Sequence, residues 1–139
     1  MKKIINNLDQ FADVATSVGK TLQSGDIIFL NGEMGVGKTT FVSYIGQYFD
    51  YNDVSSPSYT LVNHYPTRIP IIHMDFYRCN NEKEIQLLDL EHYFQKKDHI
   101  IIIEWAQKSQ TIQQWATKII ELTMTGKNKR IISLTDLKK

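Results

Sequence analysis

The chain is short of the residues that staple or anchor a protein. Its one cysteine, Cys79, has no partner for an internal disulfide, so no oxidising compartment is implied and a thiolate-built metal centre is excluded. No purely apolar run exceeds the four residues Ile100 to Ile103, far below the ~20 needed to span a bilayer. The N-terminal stretch starts with Lys2 and Lys3 but turns polar within a few residues, so no signal-peptide core is expected and the cytosol is the expected address. Charge of one sign is lacking too. Sixteen basic residues face fifteen acidic ones, for a net charge of +1. That balance argues against a domain whose main task is gripping nucleic acid by neutralising phosphates. Arginine is scarce, with only Arg68, Arg78 and Arg130.

What is present is ordinary for a globular protein: 139 residues, 42% hydrophobic and 22% charged, enough for one domain spanning 1–139. Leu8, Phe11, Ala12, Ala15, Val18 and Leu22 recur at helical spacing and predict a helix over Leu8–Leu22. Gly25 and Asp26 stop it, and Asp26–Asn31 reads as a buried strand ended by glycines. A second helix is expected over Lys38–Phe49. Strands are expected over Tyr59–Tyr65 and Ile69–Tyr77, and their short link predicts antiparallel pairing. Glu82–Phe94 reads as one helix, Asp98–Trp105 as a buried strand, and Ser109–Ala116 as a weak helix or turn. Lys118–Met124 and Arg130–Leu134 alternate around a hairpin turn at Thr125–Asn128. The expected fold class is α/β, a single P-loop NTPase domain with a mixed parallel and antiparallel central sheet flanked by helices.

The chemistry concentrates at Gly32-Glu-Met-Gly-Val-Gly-Lys-Thr39, which matches the P-loop pattern in full. Strand before it and helix after it supply the required context. Glycines leave backbone N–H groups free to wrap phosphates, and the helix turns its positive end toward them. The nucleotide-binding set is Glu33, Met34, Gly35, Val36, Gly37, Lys38, Thr39 and Thr40. Lys38 is placed to reach the β- and γ-phosphates and Thr39 to ligate Mg²⁺. Such a site needs an acid at the end of a neighbouring strand. Asp75 and Glu104 both qualify, and the strand before Glu104 is the more continuously apolar. For one of them, a plain strand-end charge is an adequate account.

A GTPase would carry Asn-Lys-x-Asp. The only similar string, Asn128-Lys-Arg-Ile131, lacks the aspartate. The arginine-rich lid of a small-molecule kinase is missing as well. A kinase, with Asp75 as base for an acceptor hydroxyl, stays as the alternative; a nucleotide-dependent binding module that hydrolyses little is a third. Trp105 reads either as core or as a stacking surface, and His73 either as structural or as a group orienting Asp75. Lys127, Lys129 and Arg130 read as a solvated hairpin tip.

Four strings occur in the order and spacing of the TsaE (YjeE) family: GEMGVGKTT at 32–40, SPSYTLVNHY at 56–65, HMDFYR at 73–78 and IEW at 103–105. The resemblance runs from about Leu8 to Arg130. It implies an ATPase that works with ATP, Mg²⁺ and two partner proteins, TsaB and TsaD. Together they put a threonylcarbamoyl group on the adenosine beside the anticodon of tRNAs reading codons that begin with A. The transfer chemistry belongs to TsaD, and the ATPase drives or resets the complex. The resemblance also assigns Mg²⁺ to Thr39 and Glu104, places Asp75 near the γ-phosphate, directly or through water, and makes Ser56, Ser58, Thr60 and Trp105 a switch-like or partner-facing group. The chain departs from the family at Phe11, where a threonine or serine usually approaches the nucleotide, at Ser58, where threonine is usual, and at Asp89, where glycine is frequent.

Overall fold

Seven strands join one sheet in the order β1-β7-β6-β2-β5-β4-β3. The computed structural model describes residues 1–137, so Lys138 and Lys139 of the expected 1–139 domain lie outside the described residues. The strands are β1 (Lys2–Ile5), β2 (Ile27–Asn31), β3 (Val62–Tyr65), β4 (Ile71–Asp75), β5 (Ile100–Glu104), β6 (Lys118–Gly126) and β7 (Lys129–Asp136). Strands β4, β5, β2 and β6 run parallel, whereas β3–β4, β6–β7 and β1–β7 pair antiparallel. The mixed sheet is as expected.

Why β2 and β5 are apolar without alternation follows from their position. Each is flanked by strands on both sides and by side chains on both faces. Ile28, Leu30, Ile100 and Ile102 enter the core under helices α1 (Leu8–Gly19) and α2 (Lys38–Tyr48). Ile27, Phe29, Ile101 and Ile103 enter a second core with Phe76, Ile85, Phe94 and Ile112. Full burial of each isoleucine contributes about 1.5–3 kcal/mol. Helix α1 starts on Asn7, whose side chain accepts from the N–H of Gln10 at 2.8 Å. It buries Phe11, Ala15 and Val18. No helix among the described residues is long and apolar enough to cross a membrane.

Two expectations need correction, and one strand was not foreseen. Residues Lys2–Ile5 form an edge strand that the polar N-terminus hid. The single helix over Glu82–Phe94 is two, α3 (Glu82–Gln86) and α4 (Leu90–Gln95), broken where Asp89 takes φ 52°. That left-handed backbone favours glycine, and here aspartate adopts it. Tyr59–Leu61 is turn rather than strand, so β3 covers only four residues. The stretch after β5 forms two short 3₁₀ turns, Ala106–Lys108 and Gln113–Trp115.

Candidate active site

The loop between β2 and α2 owes its shape to two glycines. Gly35 has φ +82° and Gly37 φ +111°, conformations that L side chains rarely adopt. At Gly37 a Cβ would also lie 3.2 Å from the Phe11 ring and 3.3 Å from Arg130 Nε. Gly37 caps α2 without any side-chain bond, so the first-turn N–H groups face the loop unoccupied by a capping residue. Lys38, the first residue of α2, is almost buried. Its Nζ donates to Gly32 O at 2.6 Å and stands 4.3 Å from the centre of the Trp105 ring. Burial holds the Lys38 ammonium below the usual lysine range, against the pull of Glu104 and Asp75.

Parallel pairing of β4 with β5 sets Asp75 opposite Glu104. Both are buried at the strand ends that face Lys38. Asp75 Oδ1 accepts from the Tyr77 N–H at 2.9 Å, and burial pushes its carboxyl above the usual aspartate range, helped by the neighbouring Glu104. Glu104 Oε2 lies 2.6 Å from His73 Nε2. Trp105 follows directly with φ 59°, a left-handed conformation for a bulky residue, and packs against Tyr77 with ring centres 5.0 Å apart and planes tilted by 51°. Trp105 is half-buried, packed against the second core with Lys38 over its ring.

Met34, Gly35, Gly37, Lys38, Thr39, Thr40, Ser56, Ser58, Asp75, Tyr77, Glu104 and Trp105 line one cleft of about 430 Å³. That volume suits a small-molecule ligand, for which ~300–1,000 Å³ is typical. Glu33 and Val36 line an adjoining groove of about 590 Å³ that shares Met34, Gly35 and Trp105 with the cleft, and the Val36 N–H donates to Glu33 O at 3.2 Å. Thr60 stands outside the cleft, its hydroxyl on Asn63 Oδ1 at 2.7 Å. Phe11 is core, not a nucleotide-facing position.

Arg130 requires a correction. It does not belong to the hairpin tip with Lys127 and Lys129: its Nε donates to Val36 O at 2.5 Å, and its guanidinium lies 5.6 Å from the Phe11 ring. Arg78 stands 3.9 Å over the Tyr59 ring and Arg68 pairs with Asp50. Among the described residues no arginine lines the cleft. Among the described residues no cluster of three or more His, Cys, Asp or Glu side chains could hold a metal alone. Two carboxylates and a threonine hydroxyl, all oxygen donors, instead fit Mg²⁺, which keeps waters and borrows phosphate oxygens.

The stretch Ser55 to Tyr65 reads in sequence as a segment able to reorder, but the sequence gives no role to the Tyr65 and Ser55 groups that stand behind the acids. Tyr65 lay within the quoted 56–65 string, but only the pairing of β3 with β4 brings it to His73.

A strand, a glycine loop with two left-handed residues, a helix opening on lysine, and paired strand-end acids define a P-loop nucleotide-binding domain of the α/β class. A family model described as threonylcarbamoyl adenosine biosynthesis protein TsaE matches residues 5–132. The chain belongs to the TsaE family. Relatives named tRNA threonylcarbamoyladenosine biosynthesis protein TsaE are similar to it. The protein of Nostoc sp. is 38% identical over 96 residues, covering 66% of this chain and 59% of the relative. That of Rickettsia felis is 30% identical over 134 residues, covering 94% and 77%. The Haemophilus influenzae protein is 33% identical over 117 residues, covering 81% and 73%. The chain thus spans less than two thirds of the Nostoc relative. The crystal structure of Bacillus subtilis YdiB matches the fold with a TM-score of 0.80 over 99% of this chain and 86% of that one, at 24% identity.

Proposed function

We propose that this chain is an accessory ATPase of tRNA threonylcarbamoyladenosine synthesis, acting in the cytoplasm with TsaB-like and TsaD-like partners. One observation carries the reading: Lys38, Thr39, Asp75 and Glu104 share one cleft in a chain of the TsaE family. The α2 first-turn N–H groups and Lys38 hold the phosphates, Lys38 leaving Gly32 O to do so. Thr39 and Glu104 hold Mg²⁺. Bound there, Mg²⁺ neutralises charge on the β- and γ-phosphates. Asp75 orients the attacking water near the γ-phosphate, and its raised pKa suits a proton acceptor better than that of an ordinary aspartate.

Among the described residues Lys38 is the one cation that lines the cleft, and the three arginines make other contacts, Arg130 with Val36 O, Arg78 with Tyr59 and Arg68 with Asp50. Turnover alone is therefore slow, and a partner completes the site. An assay with γ-labelled ATP tests the reading. Free phosphate supports it, a phosphorylated metabolite supports the kinase alternative, and binding without turnover supports a nucleotide-dependent module.

A further inference from the structure

Behind the cleft, a line of buried side chains joins Glu104 to the loop that carries Ser56 and Ser58. Glu104 Oε2 meets His73 Nε2 at 2.6 Å, and His73 Nδ1 meets the Tyr65 hydroxyl at 2.9 Å. That hydroxyl donates to Ser55 O at 2.7 Å and accepts from the Ser55 N–H at 3.3 Å. A tyrosine has one hydroxyl proton, so with that proton on Ser55 O, the His73 contact requires Nδ1–H to be the donor. The Nδ1 proton is thus tied to the loop, and the 2.6 Å contact of Nε2 with Glu104 needs a further proton, on Nε2 or on the carboxyl, because a bare ring nitrogen and a carboxylate are both acceptors. His73 is 0% exposed, and Tyr65 and Glu104 are 3% exposed, so water cannot replace a broken link.

Residues 55–58 belong to no helix or strand. Besides the Tyr65 bonds, Asn63 Nδ2 holds Ser55 O at 3.2 Å and its hydroxyl at 3.3 Å. Ser56 and Ser58 stand in the cleft that Glu104 lines. One wall of the cleft is therefore tied to the other from behind.

Resting on the ATPase reading above, we propose that His73 and Tyr65 are positioning residues that hold Glu104 in one orientation and lock it to the Ser55–Ser58 loop, so that acid and loop shift together. Asparagine and glutamine at position 73 separate the two bonds, because the Asn amide falls near Nδ1 and the Gln amide near Nε2. His73→Asn keeps the Tyr65 link and frees Glu104; His73→Gln keeps the Glu104 link and frees the loop.

Two readouts are taken on the full chain. The first is amide hydrogen exchange over 55–58 in the nucleotide-free protein. The second is kcat and KM for Mg·ATP. Exchange should quicken about five- to tenfold in His73→Gln and in Tyr65→Phe, the effect of one lost hydrogen bond, and stay native in His73→Asn. His73→Asn should lose about tenfold in kcat with KM within about twofold, as loss of a partner behind a metal ligand does, and His73→Gln should restore part of it. Loss in parallel across both His73 variants, or no change in 55–58 exchange in Tyr65→Phe, would overturn the proposal. Absence of ATP turnover in the native chain would instead end the ATPase reading, while the exchange data would still decide the coupling.

Discussion

Lys38 Nζ lies 4.3 Å from the centre of the Trp105 ring while donating to Gly32 O at 2.6 Å. The cation proposed to bind phosphate is thus held by an indole and a carbonyl. A phosphate is a stronger partner, since the hydrogen bond is charge-assisted on both sides. Nucleotide binding should draw Lys38 off the indole and change Trp105 fluorescence. Trp115 packs on Phe94, away from the cleft, so Trp115→Phe isolates the signal. Lys38→Ala should weaken ATP binding about 10- to 100-fold, the loss of a charge-assisted contact worth about 1.5–3 kcal/mol. Calorimetry with unchanged affinity would remove the P-loop assignment.

The acids should separate by metal titration. Thr39→Val and Glu104→Gln should each raise the Mg²⁺ concentration needed for half-maximal turnover by about 10- to 100-fold. Asp75→Asn should lower kcat and leave that concentration unchanged. If the Asp75 variant alone shifts it, the two roles are reversed.

Asp75 also makes a stability prediction with a definite sign. Burial raises its folded pKa above the ordinary 3.8. Its contribution is most favourable below 3.8 and is lost as pH rises through the raised value, because the folded state then holds the proton more tightly than the unfolded one. At pH 7 the buried carboxylate is a net cost. Asp75→Asn should therefore raise the melting temperature at pH 7, with the gain shrinking toward pH 4, as expected where activity uses a strained group. Melting curves across that range would check it.

A second buried charge is structural. Lys118 Nζ sits 3.1 Å from both oxygens of Asp26, which also accepts from Thr117 Oγ1 and the Gln23 N–H. This ties the start of β6 to the entry of β2. Lys118→Met should cost about 3–5 kcal/mol by removing one partner of a buried ion pair. Urea unfolding would measure it, and the added change Asp26→Asn should recover part of the loss.

Local pattern exposed the features that repeat or cluster along the chain. The run Ile100–Ile103 is apolar at every position because both faces of β5 are covered, and that predicts an interior strand. The glycines at 32, 35 and 37 and the following Lys38-Thr39 announce the phosphate site. Features that depend on distant parts of the chain were not legible. Arg130 is next to a lysine-rich turn in sequence, and only the β6–β7 hairpin lying beside the loop sets it on Val36. Asp89 interrupts a helix without glycine or proline to mark the break. Lys2–Ile5 shows three exposed positions out of four, so it lacks a strand's alternation and is held by its pairing with β7.

The central claim is that this chain hydrolyses ATP as one part of a larger machine. Steady-state phosphate release from Mg·ATP, measured with the chain alone and with a TsaB–TsaD pair, tests it most directly. Slow release alone and marked acceleration by the pair are predicted, up to the ~10³–10⁵-fold that a cation supplied in trans can add. Trp105→Ala and Thr60→Ala should reduce the accelerated rate more than the basal one. Equal rates with and without the partners would contradict the account.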